Sequence, residues 1–160
     1  MRINNPGGSS FHIVFFEVLF YYNSMVNWTD EYSVGNSLID EQHKELIRMT
    51  NELYDACLKG GGAERIFFLR VMHGSVDYVK NHFSTEENIM KEVNYPDYEV
   101  HKKEHEGFIA EVLQEAKNYE NNRPFVPLSF VKFLLEWIVK HIAESDKKYA
   151  PYLPPEKKDP

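Results

Sequence analysis

With 160 residues, 42% hydrophobic and 27% charged, the chain suits one domain with a substantial core and has an ordinary globular composition. A formal charge of −7 argues against a nucleic-acid partner, which requires a basic face, and offers no attraction to anionic membranes. Cys57, the only cysteine, excludes an intrachain disulfide; its thiol is read as a small buried hydrophobe and its compartment as reducing, the cytoplasm.

Residues 11–22, FHIVFFEVLFYY, form an apolar run broken by His12 and Glu17. The run is shorter than the roughly 20 residues a membrane-spanning helix needs. It also lacks the basic flank and small-residue cleavage site of a signal peptide. No membrane insertion is expected from it. A packed strand or helix, and a hydrophobic extension ahead of a start at Met25, both fit.

From residue 39 onward the pattern is helical. In IDEQHKELIRMTNELYDACLK, a single stripe holds Ile39, His43, Leu46, Ile47, Thr50 and Tyr54. Gly60, Gly61 and Gly62 stop that helix. The second helix spans about 63–93, with Met72, Val79, His82, Glu86, Met90 and Val93 on one face, and Asn94-Tyr95-Pro96 ends it. A third opens near Asp97, whose carboxylate suits a first turn, and turns His101, His105, Phe108 and Val112 inward. After a polar break containing Pro124 and Pro127, the fourth begins near Ser129 with Phe130, Leu134, Trp137, Ile138 and His141 as its stripe. Beyond Asp146 the tail APYLPPEKKDP is too proline-rich to continue. Four helices with short connections predict an all-α, up-down-up-down bundle. The expected organisation is an N-terminal extension over 1–25, the bundle over 26–150 and a proline-rich tail over 151–160.

The stripes sort the histidines. His82 and Glu86, in HFSTEE, lie about 40° apart around a helix. His101 and His105, in HKKEH, repeat that spacing, with lysines and glutamates in the outward positions, and present two imidazoles to one point. His43 lies between Ile39 and Ile47; taken singly, it reads as a hydrogen-bonded core histidine. His141 follows Trp137 by one turn. Asp146 stands five residues beyond His141, about 140° round a regular helix, so it must approach the same centre from the side or the helix must distort. His73, about 180° from His82, faces solvent, and neither it nor His12 is assigned to a site. Burying five histidines and two carboxylates independently would cost far more than gathering them around metal. Seven ligands exceed a tetrahedral zinc site and suit two metals bridged by carboxylates. Imidazole with carboxylate selects iron, zinc, copper or nickel over calcium and magnesium.

The motifs IDEQH, HFSTEE, HKKEH and WIVKHIAESD together resemble hemerythrin, specifically the single-domain bacteriohemerythrins. The resemblance covers about 26–150 with all seven ligand positions filled, and a family-like VNW opening after Met25 favours the extension reading. It implies a four-helix bundle around two iron ions (Fe2+/Fe3+) joined by an oxo or hydroxo bridge. It further implies that His101, His105 and His141 fill one iron, that His43 and His82 leave a vacant position on the other, and that Glu86 and Asp146 bridge them. Dioxygen would bind at the vacant position, with Leu46, Phe83 and Trp137 as pocket walls. The function implied is reversible dioxygen binding for storage, transport or delivery rather than catalysis. Alternatives using the same centre are a di-iron peroxidase or oxidase, iron storage, or sensing of nitric oxide or oxygen.

Overall fold

A computed structural model describes residues 25–59, 64–121 and 127–155. The run 11–22 with His12 and the side chains of Met72 and His73 lie outside the described residues. Four long helices make up most of the described residues: α1 (Ser37–Lys59), α2 (Glu64–Glu92), α3 (Tyr98–Glu120) and α4 (Pro127–Lys140). A π-helical segment, His141–Asp146, prolongs α4, followed by an α-turn at Lys147–Tyr149 and a 3-10 turn at Ala150–Tyr152. No strand occurs among the described residues. Helix α1 packs against α2 and α4, and α2 against α3, in an up-down-up-down four-helix bundle. None of these helices is long and apolar enough to cross a membrane.

The helix ends follow from local chemistry. Asn36 caps α1, its side-chain oxygen accepting from the Ile39 N–H at 3.1 Å. Helix α2 stops because Asn94 adopts a left-handed φ of 53°. The Tyr95 N–H then reaches back to the Met90 carbonyl, and the Asn94 N–H to that of Lys91. This is a Schellman stop, completed by contact between Met90 and Tyr95. Pro96 follows the stop rather than causing it.

The inward stripe of α1 is buried as its spacing predicts, from Ile39 through His43, Leu46, Ile47 and Thr50 to Tyr54. On α3, His101, His105, Phe108 and Val112 are buried together. Cys57 is only half-buried and packs against the edge of the core. The chain beyond Asp146 departs from expectation. It stays helical long enough to seat Tyr149, fully buried, against Met90 and Tyr95. The prolines come late enough for that turn to close first.

Candidate metal centre

All four helical arms bring polar side chains to one buried point: His43 from α1, His82 and Glu86 from α2, His101 and His105 from α3, and His141 and Asp146 from the π-helical segment. The seven predicted residues are therefore gathered, each no more than 5% exposed. The distortion that the spacing of His141 and Asp146 demanded is present. A π-helix bonds i to i+5 and so returns residues five apart to one face.

Three imidazoles form a tight triangle. The Nε2 atoms of His101 and His105 are 3.1 Å apart, those of His105 and His141 3.0 Å, and those of His141 and His101 3.2 Å. Asp146 Oδ1 lies 3.3 Å from His101 Nε2 and 3.2 Å from His141 Nε2, and Glu86 Oε2 lies 3.3 Å from His105 Nε2. On the other side, His43 Nε2 is 3.2 Å from Asp146 Oδ2 and 3.5 Å from Glu86 Oε1. His82 Nε2 is 3.6 Å from Glu86 Oε2. Asp146 thus aims one oxygen at each half of the cluster, and Glu86 belongs to both halves.

This donor set fits a pair of metal ions. A metal about 2.1 Å from each donor spaces neighbouring donors by about 3 Å, which is the spacing found. Both ring nitrogens of His43, Glu86 Oε2 and both oxygens of Asp146 are buried without a hydrogen-bond partner. Such orphaned groups are costly unless a cation satisfies them. Burial presses the imidazoles of His82 and His101 down to about 4 and that of His141 to about 2, which keeps them neutral, the ligating form. Burial opposes charge on His43 as well, but the carboxylates of Asp146 and Glu86, 3.2 and 3.5 Å away, overcome it and lift the ring to about 9. Burial, reinforced by Glu86, lifts Asp146 to about 7.

A second layer orients the rings. Gln42 Oε1 lies 2.9 Å from His82 Nδ1, Glu87 Oε1 3.2 Å from His105 Nδ1, and Glu104 Oε2 3.0 Å from His141 Nδ1. With Nδ1 donating outward, each Nε2 turns its lone pair inward. Ser145 donates to Glu104 at 2.6 Å, and Tyr149 donates to Glu86 Oε1 at 2.7 Å. Glu104 is therefore not the outward residue expected from HKKEH. Sequence reasoning missed these partners, although Gln42, Glu87 and Glu104 each stand next to a gathered residue in the chain. Aromatic rings back the imidazoles. Phe83 stacks on His105 at 3.7 Å and Trp137 on His141 at 4.3 Å. Leu46, Phe83 and Trp137 share, with His82, His141 and Asp146, the lining of a cavity of about 10 Å³ beside the cluster. A second apolar cavity of about 30 Å³ lies farther along the bundle, between Leu46 and Leu53 of α1 and Val112 of α3.

A buried cluster of imidazoles and carboxylates between four antiparallel helices defines a bundle metalloprotein. Residues 34–153 match the family described as the hemerythrin HHE cation-binding domain. The chain is 30% identical over 131 residues to a bacteriohemerythrin of Methylococcus capsulatus, an alignment covering 81% of this chain and 98% of that relative. It is 32% identical over 126 residues to a hemerythrin-like protein of Naegleria gruberi, covering 79% and 92% of the two chains. A crystal structure of wild-type hemerythrin superposes with a TM-score of 0.74 at 30% identity, covering 79% of this chain and 96% of that one. The chain belongs to the hemerythrin family, whose members are generally oxygen-binding proteins with a non-haem di-iron site rather than enzymes.

The π-helical segment gives a test of this geometry. Deleting the exposed Ala143 shortens the His141–Asp146 spacing to four, which a plain α-helix accommodates within about 40°. Inserting one alanine after Ala143 instead swings Asp146 away by about 100°. Metal content per chain after iron loading should be kept in the deletion and reduced in the insertion. Equal metal content in both would show that the spacing does not aim Asp146.

Proposed function

We propose that this protein binds dioxygen reversibly at a di-iron centre, for storage, transport or delivery. The observation that carries the reading is the unequal division of donors. One group pairs Glu86 with His101, His105 and His141, and the other pairs it with only His43 and His82. On two octahedral irons, five imidazoles, two shared carboxylates and an oxo or hydroxo group would leave a single coordination position vacant. The poorer half, that of His43 and His82, holds it. The small cavity walled by Leu46, Phe83 and Trp137 touches His82 of that half and His141 of the other.

In this reading the bound iron pair supplies two electrons and a vacant coordination position for the incoming gas, and the chain does the rest. His43, His82, His101, His105 and His141 would hold the metals, each as a neutral donor. Glu86 and Asp146 would be shared between them, and Tyr149 fixes Glu86 through its hydroxyl. Gln42, Glu87 and Glu104 lock three of the rings in the ligating tautomer. Leu46, Phe83 and Trp137 exclude water from the cavity beside the cluster, which would limit proton delivery to the loaded site and loss of electrons from it. Ferritin-like carboxylate centres have only two histidines beside four carboxylates. Five neutral imidazoles bring less negative charge to the site, and so would favour binding over oxidative chemistry.

Adding air to the reduced, iron-loaded protein should raise a visible absorption band that bleaches on deoxygenation and returns over repeated cycles. A band that never bleaches, or catalytic consumption of peroxide over many turnovers, would contradict the carrier role. Glu86→Ala should lose one or both irons by metal analysis, because a bridging carboxylate holds both. Retention of two irons would show that Glu86 is no bridge.

A further inference from the structure

Ahead of α1, residues 26–36 run back along that helix as a strap, from the level of Asn51 to that of Asp40. Three fastenings hold the strap. The Val26 N–H donates to Asn51 Oδ1 at 3.1 Å, and Asn51 Nδ2 donates to the Val26 carbonyl at 2.7 Å. Asp40 accepts from the Ser33 hydroxyl and from the Val34 N–H. Lys147, the neighbour of Asp146 in the chain, donates to the Ser33 carbonyl. One 3-10 turn, Asp30–Tyr32, is the strap's regular structure. The strap therefore hangs on a few side-chain bonds, whereas the arms of the bundle carry full helical ladders.

Between the fastenings Trp28 lies against His43, with ring centroids 6.4 Å apart. Tyr32 meets the indole edge-on at 5.9 Å, and Lys44 Nζ stands 5.3 Å from its centroid. Trp28 is half-buried while His43 behind it is fully buried, so the indole is a layer between that ring and solvent. His43 Nδ1 has no hydrogen-bond partner, which leaves this ring without the brace that orients His82, His105 and His141.

A cation needs a way to the buried cluster, and charge separates the candidate ways. The cavity of about 30 Å³ is lined by apolar side chains apart from Thr50. It would strip an ion of water and return no donor. A groove of about 450 Å³ between α3 and the α4 arm reaches His141, but exposed Lys103, Lys140 and Lys148 line it beside Glu104 and Glu144. Glu104 is already engaged by His141 and Ser145. A divalent cation is repelled there. The strap instead presents exposed Asp30 and Glu31 at its turn, with Asp40 behind them.

We propose that the strap is the gate through which ferrous ions enter and leave the centre, with Trp28 as its plug. Opening at Asn51 and Asp40 lifts Trp28 off His43. The unbraced His43 ring then meets the ion first, and the inner carboxylates and imidazoles replace its water. No electron is transferred in this step. The proposal rests on the di-iron reading above.

The test is iron exchange in the full-length protein under anaerobic conditions. Ferrous iron is released to ferrozine, a bulky anionic chelator, and in a second experiment loaded into the iron-free protein. Asn51→Ala, which removes both bonds to Val26, should speed release and loading alike by about tenfold. Val26→Pro, which removes one of them and leaves α1 untouched, should give a smaller change of the same sign in both. Each variant should still reach two irons per chain, because a gate changes both rates and not the end point. Faster release with unchanged loading would mean a weakened site rather than a gate, and would overturn the proposal. So would wild-type rates in both variants, or loading accelerated by Lys103→Glu/Lys140→Glu in their place, which would assign entry to the groove. Faster oxygenation of Asn51→Ala with unchanged iron exchange would overturn it too, by making the strap a barrier to gas. Gated iron exchange without reversible oxygenation would uphold the gate and overturn the function proposed above.

Discussion

The structure turns on one electrostatic debt. Five imidazoles and two carboxylates are withdrawn from water at one point, and several of their polar atoms receive no hydrogen bond in return. Groups buried this way destabilise a fold unless a charge of opposite sign or a donor answers them. Cations at the centre answer all seven at once. The bundle then becomes intelligible as a frame whose four arms each bring at least one donor to the same place.

The precision of that frame comes from a relay between helices. Gln42 of α1 orients His82 of α2, Glu87 of α2 orients His105 of α3, and Glu104 of α3 orients His141 beyond α4. Each orienting residue sits next in sequence to a member of the cluster, about 100° round its own helix, and so reaches the neighbouring arm. In α1, α2 and α3 one short motif thereby supplies an inward donor and a sideways brace. His43, whose Nδ1 has no partner, stands outside the relay. Its ring is flanked instead by Trp28, at a centroid distance of 6.4 Å. Where three rings are held by hydrogen bonds, this one is held by packing and by the carboxylates opposite it.

Much of this was legible in the sequence because a helix converts spacing into direction. Ile39, His43, Leu46 and Ile47 fall on one stripe, so their common burial follows from period alone. The i, i+4 pairs His82/Glu86 and His101/His105 converge for the same reason. The His141–Asp146 spacing signalled a distortion, but its form as a π-helix depends on what the surrounding arms demand of Asp146. Tyr149 was illegible for a different reason. Composition marked the tail as irregular, yet one further helical turn is closed by contact with Met90 and Tyr95, distant in sequence. Glu104 looked like a solvated charge because period says which way a residue leans, not what waits on the adjacent helix. The apolar run 11–22 lies outside the described residues.

The groove between α3 and the α4 arm and the small cavity within the bundle meet at Trp137, which borders both. The proposed function depends on metal lying where the donors converge. Diffraction from iron-loaded crystals, collected at the iron absorption edge, tests that convergence most directly. Two anomalous peaks should appear with Glu86 and Asp146 between them, one beside His101, His105 and His141 and the other beside His43 and His82. A single peak, or iron only at surface carboxylates, would contradict the account.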